Sequence, residues 1–294
     1  MRRMVLTGLC LTVAAAPAAA QDRDLPLAAQ LPVSARAAGL GGAYLLSAPD
    51  ADAIFYNPAL MDGDRGLTGS LSRFGSASQL LSAAVGTIWW HADRQAASPS
   101  SGAFARGEAG LWERGAVTAS EQIGVVAYAR TLFGFRVGGA ARLIDLRAAG
   151  QRSVSGAFDV GVVRALGPVT LGFSAQHLGR DPDLGAVEAT LPRTMTAGAA
   201  TRSKAIGPLD VSLAGSASWR GRDLSAAGGG VEVSYWPIRG RTFTARVGYR
   251  WVEESALAPT TFGLGYMGDS IGVDYAVEAV DEGRATHRIT LRVR

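Results

Sequence analysis

Arginines and carboxylates recur at even spacings inside otherwise apolar stretches of this chain. Arg246 and Arg250 stand in "FTARVGYRW", Asp274 and Glu278 in "GVDYAVEA", and Arg288 and Arg292 in "HRITLRV". Arg136, Arg142, Asp159, Arg220 and Glu232 occupy similar settings. Spacings of two and four place residues on one face of a β-strand. The chemistry such a face offers is ion pairing, either as a lattice that holds a wall together or as a ladder that guides a solute.

Other chemistry is absent. His91, His177 and His287 lie in separate segments without metal-ligand spacing, and His177 and His287 fit strand ends as interfacial polar residues. Serines are plentiful, but nothing marks one as a nucleophile with a converging histidine and acid. "AGLGGAY" has neither Gly-x-Gly-x-x-Gly spacing nor a following Lys-Ser/Thr, and no strand precedes it, so it is not a phosphate loop. The reading is of a non-enzyme without a cofactor.

The elements that carry these charges are strands. In "GPVTLGFSAQHL", Val169, Leu171, Phe173 and Ala175 alternate with Thr170, Gly172, Ser174 and Gln176. "LDVSLAGSASWR" and the stretches quoted above repeat the pattern. Period-two segments cover 66–74, 80–90, 102–115, 121–131, 133–148, 153–165, 167–178, 192–203, 207–220, 223–236, 241–252, 258–268, 270–280 and 285–294. That makes about 14 strands, most of a length that crosses a membrane when tilted. "RALGPVTLGF" and "SKAIGPLDVSL" read as copies of one hairpin unit, as a meander would have. With a periplasmic N-terminus, the connections on that side are mostly tight. The 91–101 connection is long, and Gly179 to Leu191 forms a longer polar loop on the opposite side. Trp89, Trp90, Trp219, Tyr235, Trp236, Tyr249 and Trp251 lie at or near strand ends, as in an interfacial aromatic girdle.

The bulk properties agree. The chain has 294 residues, is 48% hydrophobic, holds 38 glycines and carries a net charge of +4 without any basic cluster. That excludes a nucleic-acid partner on composition. Arg2 and Arg3, an apolar run and Pro17-Ala18-Ala19-Ala20 read as a signal peptide over 1–20. The one cysteine, Cys10, falls inside it, so the mature fold holds no disulfide. No later run is long enough for a membrane helix. The expectation is an all-β transmembrane antiparallel barrel, residues 66–294, in the cell outer membrane and in contact with its lipid. Unpaired backbone in hydrocarbon forces a sheet to close. A lipid-facing arginine at mid-depth costs about 2–4 kcal/mol, so Arg136, Arg142, Arg220, Arg246, Arg250, Arg288 and Arg292 face the lumen with Asp159, Glu232, Asp274 and Glu278.

A barrel of about 14 strands is too wide for its own side chains to fill. Residues 21–65 lack β alternation and are rich in small residues, which suits a plug or hatch. Gly39, Gly41 and Gly42 permit close packing on a wall, Asp50 and Asp52 can pair with inward arginines, and Asn57-Pro58 fixes a turn.

Within this segment "GLGGAY", "APDADA" and "FYNPALM" resemble the N-terminal signature of the FadL-like outer-membrane superfamily, most closely its PorV/PorQ branch. The matching positions are Gly39, Gly41, Gly42, Ala43, Asp52, Tyr56, Asn57, Pro58 and Ala59. The resemblance implies a 14-stranded barrel with an N-terminal hatch. It further implies transport of a hydrophobic small molecule, as in the fatty-acid branch. Its alternative is binding of protein partners in a type IX-like secretion and surface-attachment system, as in the PorV/PorQ branch. The chain departs from the family in its short loops and in ending with Arg294.

Overall fold

The computed structural model describes residues 33–43, 51–61, 66–74, 78–89, 100–113, 116–148, 150–185, 189–253, 257–280 and 285–293. The signal segment 1–20, Asp50, Trp90, His91 and Arg294 lie outside them.

Period-two alternation becomes a single antiparallel meander. Its strands are β1 (Gly66–Phe74), β2 (Ser78–Trp89), β3 (Ser100–Glu113), β4 (Ala116–Leu132), β5 (Phe135–Ala148), β6 (Gln151–Leu166), β7 (Val169–Gly179), β8 (Thr194–Thr201), β9 (Lys204–Ile206), β10 (Leu209–Arg220), β11 (Asp223–Ile238), β12 (Arg241–Val252), β13 (Leu257–Met267), β14 (Ile271–Val280) and β15 (Ala285–Val293). Both β8 and β9 pair with β10, so β9 continues β8 and the 15 segments form 14 staves. Each stave hydrogen-bonds the next, and β1 pairs with β15 from Leu67↔Val293 to Phe74↔Thr286. The pairing therefore returns to its start. An all-antiparallel ring of this kind leaves no open edge.

The surface is inside out. Leu143, Phe158, Tyr249 and Leu264 are each more than 60% exposed on the outer face. Arg142, Asp159, Arg246, Asp274, Glu278 and Arg288 are nearly inaccessible on the inner one. Water would oppose this arrangement, and hydrocarbon favours it. No helix among the described residues is long and apolar enough to cross a membrane.

The hairpin copies recur as twin Gly-Pro turns, with Gly167 and Gly207 both at φ +61°. Gly at the first central position is the residue a tight two-residue turn of this kind selects. These turns share one end of the barrel with the tight β4–β5, β11–β12 and β13–β14 connections. The connection 180–193 stands at the other end.

Inside the barrel lie three short elements. Helix α1 spans Ala35–Gly39, and 3₁₀ turns span Ala51–Phe55 and Pro58–Leu60. Helix α1 packs on β12–β15, the first 3₁₀ turn on β1–β3 and the second on β4–β6. The inner segment thus reaches from one wall to the opposite one.

Candidate functional site

The site is the lumen, and its residues are best taken wall by wall. Ser34 caps α1, its Oγ accepting from the Ala37 amide at 3.1 Å. The helix ends in Gly41 and Gly42 at φ +66° and +79°, with the Gly42 amide donating to the Ala37 carbonyl at 2.9 Å. That left-handed exit needs glycine, which accounts for the Gly-Gly pair. Ala35, Ala37, Ala38 and Gly39 are buried, and their small size brings backbone against backbone. The Ala35 amide donates to Thr290 Oγ1 at 2.8 Å and the Gly41 amide to Thr261 Oγ1 at 3.2 Å.

The wall receives this backbone with glycines of its own. A Cβ at Gly228, Gly248 or Gly230 would run into Gly41 or Leu40, and at Gly263 it would press on Gly39. The opposite wall does the same, with Gly138 beneath Pro58-Ala59 and Gly161 beneath the Asn57 amide.

Charges complete the first wall. Arg36 of α1 donates to Glu232 at 2.8 Å, Arg246 to Glu232 at 2.6 Å and Arg246 to Asp274 at 2.6 Å, and Arg292 to Asp274. A second chain joins Arg250 to Glu278 and Glu278 to Arg288, each at 2.9 Å, with Arg288 Nε on Ser72 Oγ at 2.6 Å. Arg246 on β12 reaches Asp274 on β14 across β13. Gly265 of β13 leaves the way clear, since a Cβ there would fall 2.5 Å from Asp274 Oδ1. Arg142 pairs with Asp159 at 2.5 Å on the other wall. Arg136 and Arg220 are half-buried at strand ends, at opposite ends of the barrel.

Tyr56 ties the inner segment to itself. Its phenol oxygen accepts from the Val33 amide at 2.7 Å and the Ser34 amide at 3.0 Å. Burial pushes the phenol well above its ordinary value, against these hydrogen bonds, and the buried Asp52 carboxylate adds to the rise. Asn57 caps the second 3₁₀ turn through Oδ1 to the Ala59 amide at 2.9 Å and donates to the Phe173 carbonyl at 3.3 Å. Ala43, Pro58 and Ala59 are buried.

Sequence reasoning missed two features. Around the Arg142–Asp159 pair the inner face of β4–β6 is largely apolar: Ile123, Val125, Ala127, Ala129, Ala140, Ile144, Leu146 and Ala157 pack with Ala51, Ile54 and Met61 of the inner segment and with Leu184, Ala189 and Leu191 of the 180–193 connection. Both faces of "IGVVAYA" are apolar, which was the available signal. The second is a correction. His177 does not stand at an interfacial strand end but is buried. A bulge between the pairs Phe158↔Leu178 and Val160↔Ala175 sets Gln176 and His177 against Asp159 alone. His177 takes φ +57° there, so the alternation that reached Ser174 breaks and Ser174 to His177 are all buried. A strand sequence carries no mark of a bulge formed by one polar pair. His287 is exposed and stacks on Tyr275.

A cavity of about 570 Å³ with a mixed lining lies toward the tight-turn end, bounded by Arg36, Glu232, Thr170, Asp210, Leu213 and Trp236 among others. No group of His, Cys, Asp or Glu among the described residues is placed to hold a metal.

These features define an antiparallel β-barrel whose lumen is crossed by an inner segment, and known structures share the fold. The Ralstonia pickettii toluene transporter TbuX superposes with a TM-score of 0.53 at 13% identity, covering 89% of this chain and 98% of that one. The monoaromatic hydrocarbon channel CymD gives 0.53 at 12%, covering 89% and 96%. The deltaS2 mutant of the monoaromatic hydrocarbon channel TodX gives 0.56 at 10%, covering 88% and 97%. The chain thus shares the barrel fold of these three proteins. No protein-family model matches the chain, and no curated protein matches it in sequence.

Proposed function

We propose that this protein is an outer-membrane channel that passes small apolar molecules, exported by the signal at residues 1–20 and gated by residues 21–65 acting as a hatch. The observation that carries the reading is the apolar compartment. Lumen-facing positions of a barrel serve water and are ordinarily polar, yet Ile123, Val125, Ile144 and Leu146 face Ile54 and Met61 across the lumen wall. An apolar surface with a few placed polar groups is what a hydrophobic ligand binds. The fold shared with the toluene transporter TbuX and the monoaromatic hydrocarbon channels CymD and TodX supports the same direction. On this reading the hatch separates the apolar compartment from the 570 Å³ cavity at the tight-turn end. The motif Gly39–Ala59 supports a PorV/PorQ-type chain, and that branch carries the alternative of a secretion or surface-attachment component.

Native mass spectrometry of the detergent-purified mature protein, with solvent extraction, tests the reading. A retained apolar molecule is expected. A ligand-free barrel that co-purifies in fixed ratio with another protein would move the assignment to secretion.

A further inference from the structure

The connection 180–193 is bound into the apolar compartment from within. Leu184 and Leu191 are 2% and 3% exposed and pack in the cluster formed by the hatch and β4–β6. Polar bonds hold them there. The Asp183 amide donates to Ser153 Oγ at 2.9 Å. Asp181 Oδ1 accepts from the Leu191 amide at 2.9 Å and from Arg193 at 2.8 Å. A connection at the barrel mouth that needed only to join two strands would leave its leucines outside the lumen wall or lack them.

The same connection is linked to the hatch by a continuous path. The Pro192 carbonyl meets His177 Nδ1 at 3.1 Å. The His177 amide donates to Asp159 Oδ1 at 2.8 Å. The other oxygen of Asp159 accepts from Arg142 Nε at 2.5 Å. Arg142 Nη2 donates to the Phe55 carbonyl of the hatch at 3.3 Å, and Gln176 Nε2, from the same bulge, donates to it at 2.8 Å. His177 Nε2 is buried without a partner among the described residues, a cost that a bulge kept only for shape would not carry.

Resting on the transport reading, we infer that Leu184 and Leu191 are a resident occupant of the ligand compartment. An uncharged apolar molecule binds in their place, and the departure of the connection is passed to the hatch through His177, Asp159 and Arg142. An apolar molecule fits the alkyl surface of Ile123, Val125, Ile144 and Leu146, beside which the buried Arg142 and Asp159 are already paired with each other.

The chain's one cysteine lies in the signal segment, so a Ser153→Cys, Asp183→Cys pair provides a clean lock across an existing contact. Naphthalene bound by the detergent-purified protein above a protein-free micelle control, read by its fluorescence, is the assay. The oxidised pair is expected to cut binding at least tenfold, with recovery on reduction. In wild type, naphthalene is expected to speed hydrogen exchange in Asn57–Leu60, and His177→Ala is expected to abolish that acceleration with naphthalene still bound. Equal binding by the oxidised and reduced pair overturns the occupant. Unchanged acceleration in His177→Ala overturns the path. Absence of naphthalene binding in wild type, by contrast, removes the apolar-ligand reading itself.

Discussion

Two walls of one barrel hold the same inner segment by different means. The β11–β15 wall grips α1 with charge: Glu232, Arg246, Asp274 and Arg292 extend a lattice that begins at Arg36. The β4–β7 wall grips the 3₁₀ turns with alkyl packing, with bonds to the Phe55 carbonyl and with the bond from Asn57 to the Phe173 carbonyl. A charge lattice is stiff, because breaking one member strands the others in a medium that cannot solvate them. An apolar contact is replaceable, because another apolar surface can take its place at little cost. The first wall is built as an anchor and the second as a seat. In the proposed channel, movement of the inner segment begins at Phe55 and pivots on α1.

The comparison can be broken most severely at the anchor. Asp274→Ala leaves Arg246 and Arg292 facing each other, and a broken buried pair costs about 3–5 kcal/mol. The expected outcome is a large drop in the urea midpoint of the heat-modifiable band in gel electrophoresis. An unchanged midpoint would show that the lattice contributes nothing to the anchor.

Gly248→Val comes next. Its Cβ would meet the Leu40 and Gly41 backbone, and overpacking of this kind costs about 1–3 kcal/mol. The barrel survives while α1 lifts, so protease cleavage within residues 33–43 is expected to rise. Protection equal to wild type would argue against backbone-on-backbone docking.

A smaller effect is expected at the seat. Asn57→Ala with Pro58→Ala removes a cap worth about 1 kcal/mol and loosens the second 3₁₀ turn. Single-channel conductance in planar bilayers is expected to rise, and unchanged conductance would remove the plug role of this segment.

The smallest effect concerns the mouth. Partial burial alone would raise the Asp181 carboxyl, but hydrogen bonds from the Leu191 amide and Arg193 outweigh it and hold the group below its ordinary 3.8. A carboxyl lowered by folding contributes its stabilisation above 3.8 and loses it as pH falls through the lowered value. Exchange at the Leu191 amide is expected to accelerate below that window in wild type, while Asp181→Asn shows no such pH step.

Much of the fold was legible because a membrane barrel obeys one rule repeatedly. Period-two alternation located all 14 staves to within a few residues, since lipid on one side and lumen on the other penalise every register error. The inward direction of Arg246, Asp274, Arg288 and Arg292 followed from the same rule. What stayed hidden was pairing across distance. Nothing near Arg36 in the chain points to Glu232, 196 residues away. The glycines of β11–β13 read as strand interruptions until Leu40 and Gly41 are laid against them. The β4–β5 lumen face escaped because apolar residues on both faces of a strand carry no alternation to read.

The seam of the barrel gives the last consequence. Strands β1 and β15 meet there, Ser70 Oγ bonds Thr290 Oγ1 across it at 2.7 Å, and Thr290 also receives the Ala35 amide of α1. The earliest described segment of the chain is therefore seated on its final strand, 255 residues away. Helix α1 has no complete berth until β15 arrives, and the sheet has no closed lumen until β15 finds β1. Full seating of the inner segment and closure of the cylinder therefore depend on the same strand pair.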